Sequence, residues 1–254
     1  MLGLTFLGTG TSNGIPVIGC RCRTCTSVDP RDRRTRCSVV VHLGERNVLI
    51  DTAPELRLQA VAVGLTTLDA VLFTHAHADH VGGFDDLRQF NFLRQAPIPA
   101  YADRETAREL RTRFGYAFSD PLPFYGGKPD IVLHEFDGPF ELFGMCVVPV
   151  PVHHGGWTVF GFRFGPLAYV TDAKTIPASS LELLRGVEVL VLNALRDRPH
   201  PTHLSLSEAL AIVEELGPKR AYLTHVSHEV LHTDWSERLP KHVVLAYDGL
   251  RVWV

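Results

Sequence analysis

The chain has 254 residues, of which 45% are hydrophobic and 21% charged, a composition typical of a globular protein with a sizeable core. Its 25 basic and 28 acidic side chains leave a net charge of −3, which argues against nucleic-acid binding through bulk electrostatics. No apolar run is long enough to span a membrane, and the N-terminus lacks the charged and long apolar regions of a signal peptide. We therefore expect a cytoplasmic protein without membrane contact.

In the first half of the chain, apolar and β-branched runs alternate with helical patterns. Short runs bounded by turn residues predict strands at LTFLG, CSVVVHL, NVLIDT and AVLFTH, the middle two as a hairpin. Proline near the start and glycine at the end mark a helix over PELRLQAVAVG. Amphipathic periodicity predicts another helix over DRETARELRTRFG, after the helix-rich stretch HADHVGGFDDLRQFNFLRQ.

The second half of the chain repeats this alternation. Apolar runs predict strands at HEFDGPFELFGMCVVPVPVHH, WTVFGFRFG, LAYVTD, VEVLVLNAL, RAYLTH and HVVLAYDGLRVWV. A short helix is predicted over SSLELLRG, and a longer one begins at Ser205, has Glu208 three residues on and ends at Gly217. Because no linker or low-complexity tract separates the halves, we expect one α/β domain over residues 1–254.

The segment THAHADH directly follows the predicted strand AVLFT and holds four groups that can bind metal ions. They are His75, His77, Asp79 and His80. Imidazole nitrogen and carboxylate oxygen suit Zn, Mn and Fe. His75 and His77 can converge on one ion, while Asp79 and His80 can serve a second ion about 3.5–4 Å away. Four such groups in six positions predict a dinuclear metal site rather than a histidine-rich loop.

Three later strands also end in groups that bind metals. The run PVPV ends in His153 and His154, of which one is expected to face the site because successive strand residues point to opposite faces. The run LAYVT ends in Asp172, and the run AYLT ends in His225. Each of these alone is also typical of an ordinary turn. Together with the histidine motif, they predict the remaining ligands of a metal centre at one sheet edge.

These motifs, in this order, resemble those of the metallo-β-lactamase superfamily. The similarity extends over essentially the whole chain, beginning with the strand and glycine-rich turn LTFLGTGTSNGIP. It implies an α/β fold, the αββα sandwich, with two packed mixed β-sheets flanked by helices. The implied ligand sets are His75, His77 and His154 for one ion, Asp79, His80 and His225 for a second, and Asp172 for both. His153 is the alternative to His154.

Within that superfamily, the chain resembles the PhnP-type phosphodiesterases in the segments GCRCRTC, HPTHLSL and LTHVSH. Clustered thiols in a cytosolic protein are more often metal-binding than disulfide-bonded. The resemblance implies a separate structural zinc held by Cys20, Cys22, Cys25 and His228, a closed ligand set. It also implies that His203 is a catalytic residue near the scissile phosphate.

The resemblance implies hydrolysis of a small cyclic phosphodiester, such as phosphoribosyl 1,2-cyclic phosphate. Two divalent ions at the catalytic site, Mn or Zn, would lower the pKa of a bound water from 15.7 toward about 7 and so provide hydroxide. Asp79 would orient this nucleophile, and His203 would supply a proton or positive charge to the leaving oxygen, worth roughly 10²–10⁴-fold in rate. His200 is a weaker candidate for the same role or for a phosphate contact. A homodimer is expected from the resemblance alone.

Three other functions compete with this interpretation. A tRNA 3′-processing nuclease belongs to the same superfamily, but the acidic net charge argues against it, and nucleic acid is not an expected partner. A PqqB-like role in cofactor biosynthesis would account for a similar cysteine cluster, although those proteins tend to depart from the complete ligand set. A non-enzymatic zinc-binding module would leave the dinuclear ligands unexplained. The complete set therefore favours a metal-dependent hydrolase.

Overall fold

The structure, a computed structural model, describes residues 1–118 and 127–254. The strands in this part of the chain are β1 Leu2–Gly8, β2 Ser38–Leu43, β3 Arg46–Ile50, β4 Ala70–Leu72, β5 Ile98–Ala102, β6 Ile131–Glu135, β7 Phe140–Leu142, β8 Met145–His154, β9 Trp157–Phe164, β10 Leu167–Val170, β11 Val189–Asn193, β12 Arg220–Thr224, β13 Val243–Leu245 and β14 Arg251–Trp253. The helices are α1 Leu56–Val63, α2 Ala78–Val81, α3 Leu87–Arg94, α4 Arg104–Arg113, α5 Gly115–Phe118, α6 Ala178–Leu184, α7 Leu206–Leu216 and α8 His232–Ser236. Single 3₁₀ turns lie at Pro30–Asp32 and Phe84–Asp86.

The strands form two seven-stranded mixed sheets with matching organisation. The first sheet has the order β14-β1-β2-β3-β4-β5-β6, and the second has the order β13-β12-β11-β10-β9-β8-β7. In the first sheet β14 to β3 pair antiparallel and β3 to β6 pair parallel. In the second sheet β7 to β10 pair antiparallel and β10 to β13 pair parallel. Each sheet therefore joins a hairpin half to a half that needs crossover connections.

The main core lies between the two sheets, because side chains of successive strand residues point to opposite faces. In β2, Val39 and Val41 pack into the cluster between the sheets, whereas Val40 packs on the other face. The same central cluster contains Phe6 of β1 and Phe162 of β9. Side chains from both sheets thus share one buried layer.

Helices cover the outer face of each sheet. On the first sheet, Leu56 of α1 and Leu110 of α4 pack in one cluster with Val40. On the second sheet, Val213 of α7 and Trp235 of α8 pack in a separate cluster with strand residues. The layers run helix, sheet, sheet, helix, which confirms the predicted αββα sandwich.

Helix α7 has the ends that its sequence predicts. The Ser205 hydroxyl accepts a hydrogen bond from the backbone N–H of Glu208, and the Glu208 carboxylate accepts one from the backbone N–H of Ser205 at 2.7 Å. Gly217 ends the helix with a φ of 58°. This capping box fixes where the loop that carries His203 enters the helix.

Sequence patterns did not predict β5 or α8. The strand β5 contains proline and two alanines, which weaken the strand signal, and α8 has five residues, too few for a helical period. The predicted strand that begins with HEFDG comprises the end of β6, β7 and β8, and Gly144 turns the chain between the last two with a φ of 79°. Among the described residues, no helix has the length and apolar character needed to cross a membrane.

Candidate metal centre

The residues of the centre follow strands of both sheets. In the first sheet, Asp51 comes directly after β3, and His75 lies three residues after β4. In the second sheet, His154 ends β8, Asp172 lies two residues after β10 and His225 comes directly after β12. Asp51, Asp172 and His225 have φ angles of 63°, 56° and 56°, which are costly for residues other than glycine. Such concentrated backbone strain is typical of functional sites.

His75, His77 and His154 form one half of the cluster. The Nε2 atom of His75 lies 3.0 Å from the Nδ1 atom of His77. The ring centroid of His154 lies 5.2 Å from that of His77 and 5.8 Å from that of His75. Two nitrogens bound to one ion at about 2.0–2.1 Å, at a right angle or the tetrahedral angle, are about 2.9–3.4 Å apart. The observed spacing of the first pair therefore fits a shared ion.

Asp79, His80, Asp172 and His225 form the other half. The Nε2 atom of His80 lies 3.4 Å from Oδ2 of Asp79 and 3.2 Å from Oδ2 of Asp172. The Nε2 atom of His225 lies 3.2 Å from Oδ1 of Asp172. Within the described residues both nitrogens are buried without a hydrogen-bond partner. Buried polar atoms normally have a partner, so nitrogens that face carboxylates in this way fit a cation between them.

The electrostatics of the cluster suit a cation as well. Burial opposes ionisation of Asp172, but His225 and His80 outweigh it and hold the pKa of that carboxyl well below its ordinary value. Burial also opposes ionisation of Asp79, and His80 again reverses the effect and lowers the pKa. By contrast, burial lowers the pKa of His75, which leaves a nitrogen lone pair free to bind an ion. Burial opposes protonation of His80, but Asp172 and Asp79 outweigh it and raise its pKa well above the ordinary value, so an ion bound there would replace that proton. Ionised carboxylates and imidazole nitrogens form a donor set for Zn or Mn.

The structure places His154, and not His153, in the cluster. His154 is buried, and its Nδ1 donates a hydrogen bond to the carbonyl oxygen of Thr202 at 2.8 Å, which leaves Nε2 free toward the other ligands. His153 is exposed, and its backbone N–H donates to the carbonyl of Thr175. The choice between these neighbours follows from the alternation of side chains along β8.

His203 lies against the same cluster. Its Nε2 atom is 3.0 Å from Oδ1 of Asp172, and its ring centroid is 4.7 Å from that of His154. Burial lowers the pKa of His203 to about 4, although the hydrogen bond with Asp172 acts against this shift. The Nδ1 atom of His203 lies 3.2 Å from Nδ1 of His200 and 2.9 Å from Oγ1 of Thr202. His200 therefore contacts His203 rather than the ligands themselves.

Asp51 is a site residue that the sequence patterns did not identify. Its Oδ2 atom accepts a hydrogen bond from Nδ1 of His80 at 2.7 Å, and its carboxylate also accepts bonds from the backbone N–H and the hydroxyl of Thr74, both at 2.8 Å. These contacts orient the imidazole of His80 from behind. The pattern that predicts Asp172, an aspartate at the end of an apolar strand, is also present here, because Asp51 directly follows the apolar run NVLI.

The three clustered cysteines lie close to His228, although about 200 residues separate them in the sequence. The Sγ atoms of Cys20, Cys22 and Cys25 lie 3.2, 3.5 and 3.8 Å from Nδ1 of His228. Tetrahedral zinc with sulfur at about 2.3 Å and nitrogen at about 2.05 Å places these atoms about 3.6 Å apart. Burial opposes ionisation of Cys22, yet hydrogen bonds from the Cys25 N–H and with His228 lower its pKa to about 6. The four groups therefore fit a closed zinc site.

Two packed mixed sheets with a histidine- and aspartate-rich cluster at neighbouring strand ends define a metallo-β-lactamase fold. The family model described as the Beta-lactamase superfamily domain matches residues 46–226, and the chain belongs to this superfamily. More narrowly, it is similar to a diphosphatase of the PhnP family, whose crystal structure superposes with a TM-score of 0.93 at 43% identity over 100% of this chain and 98% of that chain. These matches confirm the resemblance seen in the motifs, and the chain is a metal-dependent hydrolase.

Two curated relatives extend the comparison. An octanoyltransferase of Porphyromonas gingivalis is 40% identical over 251 residues, which cover 96% of this chain. The chain spans 50% of the length of that relative. A ribonuclease Z of Mycobacterium bovis is 27% identical over 256 residues, which cover 89% of this chain and 86% of the relative. The ribonuclease Z and the PhnP-family diphosphatase, each matched over most of its length, have different named activities, so the substrate has to be argued from the site.

Proposed function

We propose that the chain hydrolyses a small phosphodiester, with a five-membered cyclic phosphate such as phosphoribosyl 1,2-cyclic phosphate as the leading candidate. The position of His203 supports this most directly, because its Nε2 atom lies 3.0 Å from Oδ1 of Asp172. A carboxylate oxygen of Asp172 lies within 4.8 Å of ligand nitrogens from both halves of the cluster. An imidazole beside Asp172 can therefore supply a proton or positive charge to the leaving oxygen of a phosphoryl group held at the metal centre.

The ligand cluster would hold two divalent ions, Mn or Zn, and the cysteine cluster one structural zinc. Bound in a pair, divalent ions lower the pKa of a coordinated water into the neutral range and offset charge on the transferring phosphoryl group. The chain's own residues then orient the attack and protonate the product. Asp79 accepts a hydrogen bond from the attacking water. Burial lowers the pKa of free His203 to about 4, so the negative charge of the bound phosphate has to favour protonation of the ring. His203 then donates this proton to the leaving oxygen from Nε2, the ring nitrogen that faces Asp172.

Hydrolysis of a diphosphate is the second candidate function. The PhnP-family relative that is 43% identical over the whole chain is described as a diphosphatase. A diphosphate differs from a cyclic phosphodiester in its leaving group, which is a phosphate oxygen rather than a sugar oxygen. The same pair of cations and the same imidazole can stabilise the negative charge that develops on either leaving group. We do not expect RNA to be the substrate, since a chain with a net charge of −3 attracts a polyanion only weakly.

The test compares wild-type protein with His203→Ala on a panel of a ribosyl 1,2-cyclic phosphate, ADP and a pre-tRNA with a 3′ trailer. We expect the wild type to turn over a small phosphate ester or anhydride, and His203→Ala to lower kcat by roughly 10²–10⁴-fold. The matched control is His153→Ala, because His153 is the exposed neighbour of a predicted ligand.

Metal analysis of the same samples separates catalysis from metal binding. The wild type and both variants should each hold about three ions per chain when fully loaded. Loss of an ion in His203→Ala would make His203 a ligand instead of a proton donor. Cleavage of pre-tRNA with no turnover of either small substrate would replace the proposed function with a nuclease, and a saturated count of one ion would exclude the dinuclear centre.

A further inference from the structure

Trp157 is a large exposed aromatic residue at the edge of the metal centre, and it is neither a predicted metal ligand nor a predicted catalytic residue. It begins β9, three residues after His154 ends β8, and its exposed fraction is 58%. His154 and Trp157 are directly opposite in this antiparallel pair. Side chains of opposite residues lie on the same face of a sheet. Because His154 faces the ligand cluster, the indole of Trp157 stands on the cluster's side of the hairpin.

The indole contacts a predicted ligand directly. Its ring centroid lies 5.4 Å from that of His77, with 50° between the ring planes. Ring contacts then continue from His77 to His154 at 5.2 Å, from His154 to His203 at 4.7 Å and from His203 to His200 at 5.1 Å. Trp157 thus lies at one end of a series of rings that runs through the centre to His203. A substrate whose phosphate meets the centre has this indole within reach.

The hairpin that carries Trp157 is held in place by the structure around it. Gly155 has a φ of 61°, and a Cβ atom there would lie 3.0 Å from Cγ2 of Thr202, so the turn packs closely on the loop before α7. His154 donates a hydrogen bond to the carbonyl of the same Thr202. Further along β9, the N–H of Phe160 donates to the carbonyl of Thr74 at 3.0 Å. The indole is therefore presented on a rigid support, as a binding surface requires.

We propose that Trp157 is a specificity residue on which a planar ring of the substrate stacks, so that among five-membered cyclic phosphates those that carry a base bind more tightly than base-free sugar phosphates. This inference rests on the proposed function, because it concerns the same centre. Bases stack on aromatic side chains with little dependence on sequence, and removing such a side chain weakens binding by roughly 5- to 150-fold per base. The metal centre and His203 would act on the phosphate, and Trp157 would hold the base.

The kinetic test uses two probes with the same five-membered cyclic phosphate, one with a base and one without. They are 2′,3′-cyclic AMP and glycerol 1,2-cyclic phosphate. We expect Trp157→Ala to raise KM for the cyclic nucleotide by roughly 5- to 150-fold more than KM for the glycerol compound. Trp157→Phe keeps an aromatic face and should recover most of the loss. Trp253→Phe is the matched control, since Trp253 is 49% exposed and lies on β14, outside the centre.

A binding measurement makes the test independent of turnover. AMP should quench the tryptophan fluorescence of the metal-loaded wild type and of Trp253→Phe, and this quenching should be absent in Trp157→Phe. Equal losses on both cyclic phosphates in Trp157→Ala, or no loss on either, would overturn the proposal, as would quenching that persists in Trp157→Phe. If the wild type hydrolyses neither probe, the fluorescence result alone decides whether Trp157 binds a base, and the substrate panel given above separately decides the proposed function.

Discussion

Asp51 lies behind the ligand cluster, where its carboxylate is fully occupied by other groups. It is buried, and it accepts hydrogen bonds from Nδ1 of His80 and from two donors of Thr74. A carboxylate on the far nitrogen of a ligating imidazole fixes the orientation of the ring and raises its basicity. At the scale of single residues, the strength of metal binding therefore depends on a group that does not bind the metal.

The substitution Asp51→Asn tests this role. The amide keeps the size of the side chain but replaces one acceptor oxygen by a donor, so it cannot satisfy His80 and Thr74 together. We expect metal affinity at the catalytic centre to fall by about 10–100-fold, measured by competition with a chelator. Asp69→Asn serves as the control, because the Asp69 carboxylate accepts bonds from Arg46 and Asn47 away from the centre. Equal affinities in all three proteins would show that Asp51 acts only in folding.

Single residues also show what a sequence can and cannot predict about a site. The four metal-binding groups of THAHADH lie within six positions and predict a metal site by themselves. Each residue at the end of a later strand is predicted to be a ligand only because this motif is present. Asp51 gives the same strand-end signal but does not stand out, because an aspartate after a strand is common in turns. Trp157 gives no signal at all, since an isolated tryptophan at the start of a strand is ordinary. Its relevance depends on the pairing of β8 with β9, which only the fold reveals.

At the scale of elements, the five residues after β12 join several parts of the site. His225 is a predicted ligand, and Val226 exchanges backbone hydrogen bonds with Thr9 and Thr11 of the glycine-rich loop. The N–H of Ser227 donates to the carbonyl of Leu195. The remaining contacts of the segment are those of His228 with three cysteines and those of Glu229 with Arg196 and Arg198. The loop that carries the three clustered cysteines and the loop of His203 are thus attached to one short segment.

This arrangement predicts that Cys22→Ser acts on catalysis only through structure. The variant should lose one zinc and melt at a lower temperature, because a structural zinc contributes directly to folding. Activity should fall as a consequence, with the two catalytic ions still bound. The matched control is Cys146→Ser, which changes an exposed cysteine outside the cluster. A Cys22→Ser protein that keeps its full zinc content would show that the cysteines do not hold a metal.

Elements were predicted well wherever local signals were strong. The α7 helix has both its capping box and its terminal glycine, and the β2–β3 hairpin follows from two β-branched runs. Pairing between strands that are distant in the sequence could not be predicted from local signals. No pattern within β1 shows that β14, at the other end of the chain, pairs with it, because such pairing depends on long-range packing. The family resemblance supplied the sandwich that periodicity alone could not.

At the scale of the whole molecule, the centre is assembled from both sheets. The first sheet contributes Asp51 and the THAHADH segment, and the second contributes His154, Asp172 and His225. A second polar cluster, also buried, joins the N-terminal and C-terminal parts of the chain. In it the guanidinium of Arg34 donates to the hydroxyl of Thr9 at 2.8 Å and to the carbonyl of Ala246. Distant parts of the sequence are therefore held together by buried polar groups as well as by the apolar core.

His232 is the titratable member of that second cluster. Its Nδ1 atom accepts a hydrogen bond from Nη2 of Arg34 at 3.0 Å, and its backbone N–H donates to Asp32. Burial lowers the pKa of His232 to about 4, and the positive charges of Arg34 and Arg31 add to this, while Asp29 and Asp32 act in the opposite direction. The ring of Tyr247, 5.8 Å away, completes its surroundings. His232 is consequently neutral in the folded protein at pH 7.

Acid should therefore destabilise the fold through His232 in a defined pH range. In the unfolded chain a histidine takes up its proton near pH 6.5, whereas folded His232 resists until about pH 4. The unfolded state thus binds more protons between these values, and stability is lost as the pH falls from 6.5 toward 4.

The substitution His232→Asn tests this effect. It retains an acceptor for Arg34 but cannot be protonated, so the free energy of unfolding of the variant should depend less on pH, by up to about 1.4 kcal/mol per pH unit. Urea unfolding of metal-loaded protein between pH 7.5 and 4.5 measures this difference, with the exposed His242→Asn as the control. Parallel pH profiles for wild type and His232→Asn would contradict the prediction.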